Sequence, residues 1–547
     1  MIAIRRDPAA ALLAVVAAAG IALALLYPLG AVMREAVFDD RGVTDIAPIT
    51  RIFSFPVPRQ IILNTLLMGS LAGALGTVLG FCFALATTRA ARGPVRTLLH
   101  YSALLPLVAP PFALALSTIF LFGRQGLVTR GLFGLEADPY GLSGLLFVQT
   151  ITFFPVAYLI FDALMRHLDP ALEEAALNLG ASRGRIMRTV VIPLLRPGFA
   201  ASFLIIFVES LADLANPLLI GGDFNVLASS AYLAIIGEFD TRKAVAFSVV
   251  LMLPSLIAYF AQRIWVGESS VVTVTGKPST GRARTLEARF RLALLALTLA
   301  VAGLVLLLYL AVVAGAFTKL LGIDNTVTLD NFRNVLGGIG TRAMTDTTFL
   351  SAIAAPIAAL SGLLVAYLVV RTRVPGRIAF DYLLMLGAAA PGIVLGLGIL
   401  LAFNHPPLLF TGSAAIFVIA FVLRTAPVSL RSCVAALLQI DPSLEQASAN
   451  LGAGAATTFR RITLPLVRRA LLSGAIFSFT RNMTTLSTIA LLVTPNWRIM
   501  TAQILNEIDA QRLGNGAAYS CILIAIVLVT IVVLERLFGR AAVEVGA

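Results

Sequence analysis

The residues most able to do chemistry in this chain are the few ionisable side chains that interrupt its apolar runs. Glu209, Asp213 and Asn216 stand at i, i+4 and i+7 inside the run 198–221, a spacing that predicts one shared helical face. At an offset of 272 residues, the run 471–494 presents Arg481, Thr485 and Thr488. Charged groups are costly inside a bilayer and mark ion or substrate paths there. The two stripes are therefore expected to face each other, with Glu209 and Arg481 close enough to pair. Either they line a gated path or they form a purely structural interhelical pair.

Other chemistry is sparse. His100, His167 and His405 are isolated, without the paired spacing of a metal site. Cys82, Cys433 and Cys521 are too few and too scattered for a disulfide framework or a metal knuckle. The Gly276-Lys277 pair resembles the end of a phosphate loop, but Val271 stands where its first glycine belongs. No catalytic, metal or cofactor site is expected, and any nucleotide would be hydrolysed by another chain.

The elements that carry the stripes follow from composition. Of 547 residues 59% are hydrophobic and only 13% charged, whereas globular domains average about a quarter charged. A soluble enzyme, a disulfide scaffold and a disordered chain are excluded together. A formal charge of +13 is of the size seen in nucleic-acid binders, but the arginines sit in short loops beside apolar blocks, not along an amphipathic face. The chain reads as an all-α polytopic membrane protein.

A membrane-spanning helix needs about twenty apolar residues. Twelve such runs lie near 9–33, 61–86, 98–122, 141–164, 198–221, 244–265, 291–317, 348–370, 380–403, 409–431, 471–494 and 518–537. Basic residues fall in alternate loops: Arg5 and Arg6; Arg89, Arg92 and Arg96; Arg183, Arg185, Arg188 and Arg196; then Arg371, Arg373 and Arg377; Arg460, Arg461, Arg468 and Arg469; and Arg536 and Arg540. By the positive-inside rule both termini are expected to be cytoplasmic. Residues 1–266 form a first unit of six spans, 267–290 a polar cytoplasmic linker, and 291–547 a second unit of six spans.

The two units repeat each other. DPALEEAALNLGASRGRIMRTVVIPLLRPG at 169–198 and DPSLEQASANLGAGAATTFRRITLPLVRRA at 441–470 agree at thirteen of thirty positions without a gap. Six spans separate equivalent points, so the halves should share an orientation and be related by an axis along the membrane normal. Each copy predicts two short helices: Asp169 and Asp441 as caps, Pro170 and Pro442 at the first helical position, and Gly180 and Gly452 at the left-handed turn. Pro110-Pro111 and Pro391-Gly392 interrupt corresponding spans, and Pro155 and Pro427 form a third matched pair.

Glu174-Ala175-Ala176 with Gly180 and Val190-x-Ile192-Pro193, and Gln446-Ala447-Ser448 with Gly452 and Ile462-x-Leu464-Pro465, resemble the E-A-A loop of binding-protein-dependent ABC importer permeases. The resemblance covers essentially the whole chain as two fused permease repeats. It implies a type I importer fold and makes Glu173, Glu174, Ala175, Gly180, Glu445, Gln446, Ala447 and Gly452 the residues that couple to ATP-binding subunits. The second copy departs from the pattern, with Gln446 at the glutamate position and Glu445 just before it. The implied partners are two ATP-binding subunits, which hold ATP and Mg, a periplasmic substrate-binding protein, and membrane lipid. The implied location is a bacterial inner membrane.

The stretches 388–401, 216–237 and 273–278 resemble the iron(III) branch, whose relatives also carry phosphonates, sugar phosphates, thiamine or polyamines. Glu209 and Asp213 suit a hard cation such as ferric iron, and Arg481 suits a phosphate or phosphonate. Twelve spans in two parallel halves also describe an ion-gradient-driven secondary transporter, although the paired loops weigh against it.

Overall fold

The computed structural model describes residues 8–39, 41–136, 138–266, 286–372 and 374–538. Arg5, Arg6, Arg373, Arg540 and linker residues 267–285 lie outside them. Among the described residues, ten helices are long and apolar enough to cross a membrane, or twelve if each of two bent pairs counts as one span.

The first half runs α1 (Ala11–Val37), α2 (Pro56–Ala90), α3 (Gly93–Val108), α4 (Pro111–Phe122), α5 (Leu142–His167), α6 (Pro170–Asn178), α7 (Arg196–Ala212), α8 (Ala215–Ile220), α9 (Leu227–Ile236) and α10 (Thr241–Val266). The second half runs α11 (Ala288–Ala316), α12 (Ile339–Arg371), α13 (Arg377–Ala389), α14 (Gly392–Ala402), α15 (Ala414–Gln439), α16 (Pro442–Asn450), α17 (Leu464–Thr484), α18 (Met500–Asp509) and α19 (Leu513–Phe538). A short antiparallel hairpin, β1 (Thr318–Leu320) and β2 (Asp324–Val327), follows α11.

Close helix crossings hold each half together. A Cβ on Gly80 of α2 would lie 2.6 Å from the Tyr158 backbone nitrogen of α5, and a Cβ on Gly362 of α12 would lie 2.6 Å from the Leu430 nitrogen of α15. In lipid, where apolar burial gives little drive, backbones that approach this closely supply packing. Gly362→Leu is expected to lose about 1–3 kcal/mol, because the obstructing atoms are backbone. Gly303→Leu is the control, since a Cβ there meets nothing within 4 Å. Thermal unfolding of both variants in detergent checks the difference.

The first helix of each half packs on the other half. Gly398 of α14 leaves room for the Pro28 carbonyl of α1, at 2.8 Å from a would-be Cβ, and Gly315 of α11 leaves room for the Phe120 ring of α4, which a Cβ there would strike. This reciprocal exchange agrees with a two-fold relation between the halves.

Pro110-Pro111 and Pro391-Gly392 do interrupt helices, whereas Pro155 and Pro427 lie within the unbroken α5 and α15. Ala109 and Pro110 are extended between α3 and α4, and α13 and α14 meet at a bend of 106° around Ala390 and Pro391. Non-helical backbone at membrane depth is tolerated only where protein or a water-filled cavity surrounds it. At the second break protein supplies the partner: Arg424 Nη1 donates to the carbonyls of Ala388 at 2.9 Å and Ala390 at 3.3 Å.

Two of the expected spans are corrected. The helices expected across 198–221 and 471–494 end at Ala212 and Thr484, and Asp213 and Thr485 are extended. Glu209, Asp213 and Asn216 therefore do not share one helical face, nor do Arg481, Thr485 and Thr488. The cause at the first break is local. Asp213 Oδ1 accepts the backbone N–H groups of Ala215 at 3.1 Å and Asn216 at 3.4 Å, starting α8 in a new direction. A short polar side chain that bonds its own backbone competes with helix continuation.

Candidate coupling loops and translocation pathway

The two cytoplasmic loops have the same construction. Asp169 accepts from the Ala171 N–H at 2.9 Å and Asp441 from the Ser443 N–H at 2.8 Å, capping α6 and α16. That backbone bond holds the Asp441 carboxyl below the usual carboxylate range, so the cap stays charged. Gly180 and Gly452 have φ of 82° and 83°. Past each glycine, Ala181 N–H reaches the Ala176 carbonyl and Ala453 N–H the Ser448 carbonyl, closing a Schellman turn.

One side of each loop is anchored. Arg89, at the end of α2, grips Glu173 with two bonds, Nη2 to Oε1 at 2.6 Å and Nη1 to Oε2 at 3.1 Å. The side chains are 3% and 10% exposed. In the second half Arg371, the last residue of α12, lies 3.3 Å from Glu445, which also accepts from Thr463 at 2.9 Å. The acid common to both copies thus faces inward and ties the loop to the end of the second span of its half. Glu174 and Gln446, where the copies differ, are exposed, as are Ala175 and Ala447. Leu179 and Leu451 are each 88% exposed, and Leu172 and Leu444 about half exposed. Two helices at matched positions therefore offer apolar stripes outward.

Sequence reasoning treated Arg89 and Arg371 only as marks of the cytoplasmic side. Their position at the end of the second span in both halves was the signal that each meets the same partner.

Within the membrane, the geometry joins the halves through charge. Arg481 Nη2 of α17 donates to Glu209 Oε2 of α7 at 2.8 Å. Arg424 of α15, which sequence reasoning did not single out, places Nη2 3.8 Å from Glu209 Oε1. Glu209 and Arg481 are 27% and 35% exposed, whereas Arg424 is 8% exposed. The first two face open space, and the third is built into the wall.

The remaining stripe residues do something else. Asp213 Oδ2 accepts from Gln149 Nε2 at 2.9 Å and Asn216 Nδ2 at 2.7 Å, so its carboxylate is saturated by its own half. Ser210 donates to Gln149 Oε1, closing the network. The Thr485 carbonyl accepts from Thr501 of α18 at 2.8 Å, and Thr488 packs against the start of α14, its hydroxyl 2.9 Å from a would-be Cβ on Gly392. These residues shape the breaks, while Glu209, Arg424 and Arg481 supply the charge at the seam. Among the described residues no group of three or more His, Cys, Asp or Glu side chains could hold a metal ion.

Residues 75–266 and 358–541 each match the family described as the inner membrane component of binding-protein-dependent transport systems. The chain belongs to that family. It carries two copies of the permease unit in one polypeptide. The ferric transport system permease protein FbpB of Actinobacillus pleuropneumoniae is 36% identical over 527 residues, covering 94% of this chain and 76% of that protein. A putative ferric transport system permease protein FbpB of Haemophilus influenzae is 37% identical over 487 residues, covering 87% and 76%. The putative 2-aminoethylphosphonate transport system permease protein PhnV of Salmonella typhimurium is 27% identical over 213 residues, 39% of this chain and 80% of that one. As a permease of this family, the chain is a transport component of an inner membrane.

Proposed function

We propose that this permease forms the whole membrane-spanning part of an ATP-driven importer of ferric iron. One ATP-binding subunit docks beneath α6 and another beneath α16; these subunits hold ATP and Mg. A periplasmic binding protein delivers the iron from outside, and both termini lie in the cytoplasm. The observation that carries the reading is the matched pair of capped helices, each with an apolar stripe facing outward and an acid tied inward to a long span. A single loop of this kind could be a connector, but two copies at equivalent places suit two identical partners. An ion-gradient-driven transporter has no use for them.

Closure of the ATP-binding subunits moves α6 and α16 together. Because Arg89 and Arg371 bind these helices to α2 and α12, that movement reaches the spans directly. Iron is favoured by the ferric relatives, which align along most of the chain. The phosphonate relative supports a second cargo over a smaller part.

The test alters the turns alone. A Cβ on Gly180 or Gly452 meets nothing within 4 Å, yet the left-handed backbone is strained for any other residue. Gly180→Trp and Gly452→Trp are each expected to reduce co-purification of the ATP-binding subunits by about tenfold, the equivalent of 1–2 kcal/mol of backbone strain. Unchanged association and unchanged ATP-driven uptake of radiolabelled ferric iron in both variants would overturn the coupling assignment.

A further inference from the structure

The charge cluster at the seam holds two guanidiniums and one carboxylate, and the carboxylate comes from the opposite half. Glu209 stands between Arg481 at 2.8 Å and Arg424 at 3.8 Å, one carboxylate oxygen toward each. Glu209 and Arg481 occupy equivalent positions on α7 and α17. Parting the halves therefore draws Glu209 away from both cations in one movement and leaves two guanidiniums on the second half's wall.

Arg424 is largely buried. It is 8% exposed, and its Nη1 is tied to the Ala388 and Ala390 carbonyls at the break between α13 and α14. Once Glu209 is withdrawn, two guanidiniums on one wall of the path stand without their carboxylate, and an anion entering the vacated place restores the charge balance of the partly buried cluster. A bare trivalent cation cannot do this. It is repelled by both arginines, and Glu209 alone is far short of the oxygen ligands a hard cation takes. A tetrahedral or planar oxyanion fits, because guanidinium forks bind such groups with paired hydrogen bonds. The positive wall is also one-sided: the first-half position equivalent to Arg424 is Thr152, which donates to the Val148 carbonyl of its own helix.

Resting on the iron reading above, we propose that the ferric ion crosses this seam as a complex with an oxyanion, which takes the place of the Glu209 carboxylate between Arg424 and Arg481. In the empty transporter Glu209 fills the slot and keeps the halves together. In the loaded one the anion displaces it, so opening is favoured only when cargo is present.

The test uses the full complex in proteoliposomes, with the binding protein loaded with radiolabelled ferric iron and radiolabelled phosphate, and in a second series with radiolabelled citrate. The expected result is ATP-dependent entry of anion and iron in about equal amounts in at least one series. Arg481→Lys, which keeps the charge but loses the fork, should lower uptake of both labels together, on the order of tenfold. Iron entering without either anion overturns the proposal and leaves the iron function intact. Entry of neither label with wild-type protein overturns both.

Discussion

Glu173→Ala is expected to destabilise the permease by about 3–5 kcal/mol, the penalty of leaving one member of a buried ion pair without its partner. Arg89 is 3% exposed and its two terminal nitrogens both bind Glu173, so the substitution strands the whole guanidinium. Glu445→Ala should cost less, because Arg371 Nη2 also donates to the carbonyls of Leu437 at 2.9 Å and Ile440 at 2.8 Å. Thermal unfolding of the two variants in detergent checks the order, and equal effects would contradict it. The double variant Arg89→Met/Glu173→Leu separates stability from transmission. Replacing a buried ion pair by apolar groups of similar volume is often neutral or stabilising, so the fold should recover. If the pair carries motion from α6 to α2, ATP hydrolysis by the complex continues while uptake stays low. Full recovery of uptake would make the pair a fold element alone.

The same two loops show how much the sequence disclosed. Aspartate caps, first-turn prolines and left-handed glycines are local chemistry, and each was legible from residue type and spacing. The twelve apolar runs were legible for a similar reason, since bilayer thickness sets one length for all of them. What escaped were places where a side chain contradicts the average of its window. Asp213 ends α7 because two backbone N–H groups are within its reach, a preference no hydropathy sum registers. The short α9 and α18 fall below the span length and were absorbed into loops. The exchange of α1 and α11 between halves is a tertiary contact, visible only through Gly398 and Gly315 once the partners are known.

Arg424 is the instructive omission. It lies inside the expected span 409–431 and is an intramembrane charge of the functional kind, yet the repeat points only to positions with a charged counterpart. Its first-half equivalent is Thr152, so the comparison that exposed Glu209 and Arg481 concealed it. Functional asymmetry in a duplicated protein sits where the repeat fails.

That asymmetry fixes the second large prediction. Glu209→Gln should be more damaging than Arg481→Gln, because the first leaves two guanidiniums without a counter-charge and the second leaves Glu209 with Arg424 at 3.8 Å. The penalty of a fully buried pair must be reduced here, since Glu209 and Arg481 are 27% and 35% exposed; about 1–3 kcal/mol is expected for Glu209→Gln. The double variant should recover part of that loss, with a coupling energy within about 0.5–3 kcal/mol between the two sites, read from thermal unfolding. Uptake then divides the two roles the pair could have. A purely structural pair predicts that the double variant regains transport in proportion to its regained stability. A gate predicts a stable, ATP-hydrolysing complex that still fails to move iron, because the charges that close the empty path and meet the cargo are gone. Equal damage from the two single variants would remove Arg424 from the cluster and reduce the seam to a two-member bridge, for which the one-sided positive wall has no meaning.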